Sequence, residues 1–251
     1  MKVVFFYVFL LLKTVSAMAQ ENIDYIKVSQ DLLYAVKTDE PVTSFQQLLS
    51  KASWQELRTQ LRTDADRKAF WLNMYNACTQ TALKEDPGAY KRRNKFFSKR
   101  FIPVAGEQIS LDLIEHGILR RSKAKYALGH FNKLFKSKFE KLFRVDTPDY
   151  RIHFALNCGA KSCPPVAFYQ PAQINQQLDL ATKAYLKREV QFNERDQTVE
   201  VPMIFSWFRG DFGGKKGIIR LLQRQNLLPD HVTPAIKWKK YDWTLSVKAF
   251  G

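Results

Sequence analysis

Acids, histidines, cysteines and glycines are all scarce in this chain. Its 251 residues hold 24 Asp and Glu against 40 Lys and Arg, with only 4 His, 3 Cys and 10 Gly. Each shortage excludes something. Gly210, Gly213, Gly214 and Gly217 flank Asp211 and Lys215, but no Gly-Lys-Ser/Thr follows, so there is no phosphate-cradling loop. No Gly-x-Ser-x-Gly elbow occurs. The Cys158-x4-Cys163 spacing with scattered histidines lacks the paired short spacings of structural zinc ligands, and it is not the redox Cys-x-x-Cys. These absences argue for neither cofactor nor metal. Internal repeats and low-complexity linkers are also missing. The longest apolar run, Val3 to Leu12, has ten residues, well short of the roughly 20 that span a bilayer.

That run instead reads as a targeting signal. Met1-Lys2 supplies the positive start, and Ala17-Met18-Ala19 fits the small-x-small cleavage rule. The expectation is export, with the protein periplasmic or secreted after cleavage near Ala19. No Cys follows that would take a lipid. The hydrophobic content of 45% and aromatic content of 14% are those of a chain with a core to bury. The simplest organisation is a signal over 1–19, a helical extension over 20–44 and one α+β domain over 45–246. The net charge of +16 is concentrated. Six Lys or Arg lie in residues 91–100, and nine more lie between Arg120 and Arg144, where Glu140 is the one acid. A stripe of that kind attracts anions. For an exported chain nucleic acid is not the expected partner. An anionic envelope polymer, or peripheral contact with an anionic membrane surface, is more consistent.

Helical periodicity is strongest over Asp64 to Lys84, with Asp64 or Asp66 as cap and Pro87-Gly88 as stop. Trp71, Tyr75, Cys78 and Ala82 share one face. Asn73, Asn76 and Gln80 form a second line, read as a buried polar stripe. Further helices are expected over Asn22 to Val36, from a capping box at Ser44 to Gln47, over Trp54 to Leu61, from Ser110, over Ala172 to Glu189 and over Ile218 to Leu227. Extended segments are expected around Phe101 to Val104, as a central strand over 151–157, over Thr198 to Phe205 and over Ile236 to Leu245. The predicted architecture is a helix-rich N-terminal half packed on a small, mainly antiparallel sheet.

The chemistry concentrates in residues 151–166, where an apolar run stops at Asn157-Cys158-Gly159 and Cys163 follows before Pro164-Pro165. Cys158 at such a boundary is positioned either as a nucleophile or as half of a short Cys158–Cys163 disulfide. A nucleophile needs a base. The candidates are His116 and His153, with Glu115 or Asp112 to orient an imidazole and Asn73 as a supporting amide. Strict strand alternation would place His153 and Cys158 on opposite faces, so a bulge or turn at Asn157 is needed to join them. The Asn73, Asn76 and Gln80 stripe is better suited to tethering loops than to binding a substrate. Cys78 shares the face of Trp71 and Tyr75 and reads as core.

Four segments together resemble one family. They are Ala69-Phe70-Trp71-Leu72-Asn73-Met74-Tyr75-Asn76-Ala77, Ser110 through Arg120, Arg151 through Pro165, and Tyr241-Asp242-Trp243-Thr244-Leu245. In this order they look like the domain of unknown function 547 family, over nearly all of the chain after its first 45 or so residues. The resemblance implies Cys at the position of Cys158, with Ser in some relatives where this chain has Cys163. It also implies frequent export among bacterial members, and it brings a papain- or transglutaminase-like fold and thiol site into consideration without establishing an activity. Three functions remain open. One is cysteine-dependent acyl transfer or hydrolysis of a peptide-like substrate. The second is a non-catalytic envelope binding module with a structural Cys158–Cys163 disulfide. The third is thiol–disulfide redox chemistry or small-thiol binding.

Overall fold

Helix α4, Asp64–Glu85, runs through the middle of the fold. The computed structural model describes residues 23–247. The expected signal over 1–19 and its cleavage near Ala19 lie outside them. Every residue of α4 from Lys68 to Gln80 is buried. A helix buried all round must be enclosed by other elements. Helix α1, Tyr25–Thr38, lies along it and adds Leu32, Leu33 and Val36 to the shared core, so the expected N-terminal extension and the domain bury one continuous interior. Trp71 is packed edge-on by Phe139 and Phe143 at centroid distances of 6.1 and 6.3 Å. Full burial of side chains such as these stabilises the fold by roughly 1.5–3 kcal/mol each.

The ends of α4 follow from local hydrogen bonds. Thr63, not Asp64 or Asp66, is the N-cap. Its hydroxyl accepts from the Asp66 amide at 3.2 Å, and the Asp66 carboxylate accepts from the Thr63 amide at 2.8 Å. The same reciprocal box, Ser53 with Glu56, starts α3, Trp54–Gln60. No box forms at Ser44, because α2 begins one residue earlier and runs Thr43–Lys51 without a side-chain cap. Beyond α4 a 3-10 turn, Pro87–Arg92, leads into α5, Arg93–Ser98.

The β structure is divided. Strands β1, Ile102–Val104, and β2, Glu107–Ile109, form an antiparallel hairpin. Strands β3, Gln191–Asn193, β4, Thr198–Pro202, and β5, Ala235–Lys239, make a separate three-stranded sheet. There β3 pairs antiparallel with β4, but β4 pairs parallel with β5. The α+β class therefore holds, with two small sheets in place of one. The parallel pair needs a long crossover, and α8, Ile204–Trp207, and α9, Gly214–Arg224, fill it. Between the sheets lie α6, Lys138–Phe143, and α7, Ile174–Glu189.

The expected central strand over 151–157 does not form. Tyr150–Phe154 is a 3-10 helix started by Asp149, whose side chain accepts from the Arg151 amide. Asp149 also receives Lys68 at 2.9 Å and Arg151 at 2.7 Å. Burial pushes its carboxyl up, but those donors outweigh burial and hold it at about 2. The helical start is thus locked by two cations, and the strand-alternation argument against bringing His153 near Cys158 no longer applies.

Candidate functional site

The turn that carries Cys158 is held by the amide stripe of α4. Asn76 accepts from the Asn157 amide at 2.9 Å and donates to the Ala155 carbonyl at 3.0 Å. Gln80 donates to the Asn157 side-chain oxygen at 3.0 Å. Asn157 in turn accepts from the Gly159 amide and donates to the Pro164 carbonyl. Gly159 has φ +82°, a backbone conformation that favours glycine, and a Cβ there would also press to 2.4 Å on the Leu83 side chain. Asn73 makes the same two-ended bond to the Tyr169 backbone, at 2.9 and 3.0 Å. It is fully buried and does not line the cavity described below. Both ends of its amide are already used, so the supporting catalytic role expected for it has no free group behind it.

Cys158 and Cys163 form a disulfide, with Cα atoms 6.2 Å apart. Cys163 is buried and Cys158 is half-buried. The Tyr241 hydroxyl lies 3.3 Å from the Cys158 sulfur and 3.1 Å from that of Cys163. Tyr241 is brought there by backbone pairing of the C-terminal stretch with the cysteine loop: Lys161 donates to Thr244 at 2.8 Å and Ser246 donates to Gly159 at 2.7 Å. Cys78 is free and buried, and burial pushes its thiol up to about 12. That fits the core role expected of it.

Cys158 lies on the wall of a cavity of about 490 Å³. One side is aromatic. Trp207, Tyr241 and Trp243 pack with centroids 4.5–5.4 Å apart, and the Arg93 guanidinium lies 4.6 Å over Trp243. The other side is polar and comes from one unusual element. Residues Leu113–Leu119 form a π-helix, with the Arg120 amide bonding back five residues to Glu115 and Ser122 back to Gly117. Such wide turns recur at functional sites. Here the turn sets Glu115 and His116 on the cavity lining and bonds Arg120 to His116.

The two histidines in the cavity have different capacities. Arg120 Nη1 lies 2.9 Å from His116 Nδ1. A guanidinium can only donate, so Nδ1 is the acceptor and the neutral ring carries its proton on Nε2. Burial, then the Arg120 and Lys125 charges, holds His116 well below the usual imidazole range. In this state His116 is a hydrogen-bond donor and has no free lone pair to act as a base. His153 has the opposite polarity. Its Nε2 donates to Asp211 Oδ2 at 2.8 Å, which leaves Nδ1 as the acceptor in the neutral ring. Burial lowers its pKa, partly offset by Asp211. The ring stacks on Phe208 at 4.0 Å, and the Arg120 guanidinium lies 4.6 Å over that same Phe208 ring. Asp211 is the hinge of this network. Burial pushes it up, yet the bonds from His153 and from Arg120 at 2.7 Å bring it to about 2.

Glu115 is the group poised near neutrality. Burial raises its carboxyl to about 7, with Asp112 adding to the rise and Arg120 and Lys125 opposing it. The Tyr75 hydroxyl lies 3.4 Å away, and burial pushes that phenol well up, so it stays a proton donor. Asp112 is held by Lys125 at 2.8 Å. Of the residues singled out from the sequence, Cys158, His116, His153 and Glu115 therefore meet in one cavity, and Asn73 does not. Tyr75, Arg120 and Tyr241 were not foreseen in these roles. The spacing of Glu115, His116 and Arg120 was visible, but only the π-turn makes it converge. Among the described residues no group of His, Cys, Asp and Glu is arranged to hold a metal ion.

The family model "Protein of unknown function, DUF547" matches residues 59–186, just over half of the chain. The chain belongs to the DUF547 family. The matched segment of this DUF547 protein runs from α3 to α7. It includes the amide stripe, the π-helix and both cysteines of the disulfide, but stops short of Trp207, Asp211 and Tyr241. The aromatic wall and the acid that orients His153 lie beyond it. No curated protein and no solved structure gives a match.

Proposed function

We propose that this DUF547 protein binds a peptide-like ligand in the cavity beside Cys158, as an exported protein whose Cys158–Cys163 disulfide holds the cavity wall. One observation carries the reading: the aromatic cluster Trp207, Tyr241 and Trp243 lines the same cavity as the polar groups of Glu115, His116 and Tyr75. A peptide presents apolar side chains together with amide N–H and C=O groups, and ligand sites combine such surfaces. Trp207 and Trp243 suit the former. The His116 Nε2–H, the Tyr241 hydroxyl and Glu115 suit the latter. Joined sulfurs leave no thiolate, so Cys158 is not a nucleophile in the disulfide form. Disulfides persist outside the cytosol, which agrees with the targeting signal read from the first 19 residues.

A second reading is favoured by the asymmetry of the two sulfurs. Reduction by a dithiol would leave Cys158 on the cavity wall and Cys163 behind it. Cys158 would then be the nucleophile and His153, oriented by Asp211, the base, for acyl transfer or hydrolysis. A library of short peptides screened against the full chain by ligand-observed NMR separates the readings. Binding that needs no reductant, is lost in Trp207→Ala and is weakened when Cys158→Ser/Cys163→Ser releases the cavity wall supports the binding protein. Turnover that appears only after reduction and vanishes in Cys158→Ser supports the enzyme. Peptide contacts indifferent to Trp207→Ala would reject the cavity as the site.

A further inference from the structure

We infer that the segment from Arg121 to Lys138 is a membrane-docking loop that inserts its apolar side chains into the surface of an anionic phospholipid bilayer. The inference does not rest on what the cavity binds. The segment leaves the π-helix, pairs Lys123 with Asn132 across a short bridge, and returns to α6. Its base is fixed: Ala124 donates to the Phe131 carbonyl at 3.0 Å, Lys133 to Ser122 at 2.8 Å, and Gly210 to the Leu128 carbonyl at 2.7 Å. On this anchored loop the large apolar side chains point outward. Tyr126 is 76% exposed, Phe131 72%, Leu134 89% and Phe135 91%. They are four of the eight large hydrophobics exposed among the described residues, gathered within ten positions. Exposed apolar groups scattered singly need no explanation, but a concentration of this kind marks a contact surface.

The charge around these groups selects the occupant. No acid occurs between Glu115 and Glu140. Glu140 itself is buried and bound to Lys133 at 3.0 Å. Arg121, Lys123, Lys136 and Lys138 have no carboxylate partner among the described residues. Cations interspersed along the loop with projecting aromatic and aliphatic tips match an anionic headgroup layer over an acyl interior. A soluble polyanion would use the cations and leave Phe131, Leu134 and Phe135 in water. No helix of the described residues is long and apolar enough to cross a membrane. Tyr126 and Leu128 also line the mouth of the cavity. Docking would set that mouth at the bilayer surface.

The test uses the full chain with vesicles of phosphatidylcholine alone and of phosphatidylcholine with phosphatidylglycerol. Co-sedimentation is expected with the anionic vesicles only. The affinity should fall about five-fold for each of Arg121, Lys123, Lys136 and Lys138 changed to Gln, and with added salt. Hydrogen–deuterium exchange gives the local readout. Amides of residues 126–137 should be protected by anionic vesicles and not by neutral ones. Phe131→Ser/Leu134→Ser/Phe135→Ser should abolish that protection while keeping the thermal transition of the parent, since these side chains are outside the core. Protection confined to the N-terminal apolar run overturns the inference. So does vesicle binding unchanged in the triple variant, or binding to a soluble acidic polysaccharide that matches the anionic vesicles and ignores the triple variant.

Discussion

Glu115 shows how one buried side chain can be tuned by its neighbours. Its carboxyl is raised from about 4.5 to about 7 because burial and Asp112 penalise the anion more than Arg120 and Lys125 favour it. The linkage has a definite sign. Between those two values the folded protein holds a proton that the unfolded chain has released. The contribution of Glu115 to stability is therefore full below about pH 4.5 and is lost as pH rises to about 7, where the loss levels off. Glu115→Gln cannot ionise and still accepts a bond from Tyr75. Its stability relative to the parent should rise across that window by at most about 3 kcal/mol, at 1.36 kcal/mol per pKa unit. Urea unfolding of both proteins at pH 5, 6, 7 and 8 measures this. A difference that does not change with pH would show that Glu115 ionises as an ordinary carboxyl. At the same scale the histidines were ambiguous in the sequence. Nothing in residues 116 or 153 announces which ring nitrogen is free. That is decided by Arg120 and Asp211, far apart in the chain and 2.7 Å apart in the fold.

At the scale of elements, the amide stripe of α4 has a testable division of labour. Asn76→Ala would leave the Asn157 N–H and the Ala155 C=O buried without partners. At roughly 1–3 kcal/mol for each orphaned group, the expected loss is about 2–6 kcal/mol. Asn73→Ala orphans the Tyr169 N–H, while the Tyr169 carbonyl keeps Gln30 at 3.3 Å, so it should cost about 1–3 kcal/mol. The two variants should part company on a second measurement. Asn76 holds the Cys158 turn and Asn73 does not, so only Asn76→Ala should speed reduction of the disulfide by dithiothreitol in the folded protein. Equal reduction rates would mean that the stripe does not govern the turn. The stripe was legible because three uncharged amides at helical spacing among Phe70, Trp71 and Leu72 have to be buried and bonded. The element that follows was misjudged for an equally physical reason. A short apolar run such as Ile152 to Leu156 has no periodicity that separates strand from helix. The deciding signal was Asp149, a capping residue stabilised by Lys68 from the neighbouring helix. The box expected at Ser44 also failed: the local pattern was present, but α2 is capped at Val42, two residues earlier, which puts Ser44 inside the helix.

The whole molecule poses the question of the cysteines most sharply, because all three have different fates in one fold. In the native, unreduced protein none should react with iodoacetamide at neutral pH. Cys158 and Cys163 are joined, and Cys78 is buried with its thiol pushed up to about 12. Mild reduction without unfolding should expose Cys158 first, since it is half-buried at the cavity wall whereas Cys163 is 4% exposed. Cys78 should react only after denaturation. Mass spectrometry of the alkylated peptides reads all three positions at once. Closing so short a loop is worth about 2 kcal/mol in the chain-entropy account, so Cys158→Ser/Cys163→Ser should lose about that much stability and remain folded on the shared core of α1 and α4. The order of labelling also arbitrates function. If Cys158 alkylates without reductant, the disulfide does not persist in the working protein. His153, paired with Asp211, then shares its cavity with a live thiol, and acyl chemistry becomes the leading reading. If it reacts only after reduction, the cavity works with its sulfurs joined. Recognition then falls to Glu115, His116 and the aromatic wall, and any catalysis by Cys158 requires a reductant to open the disulfide first.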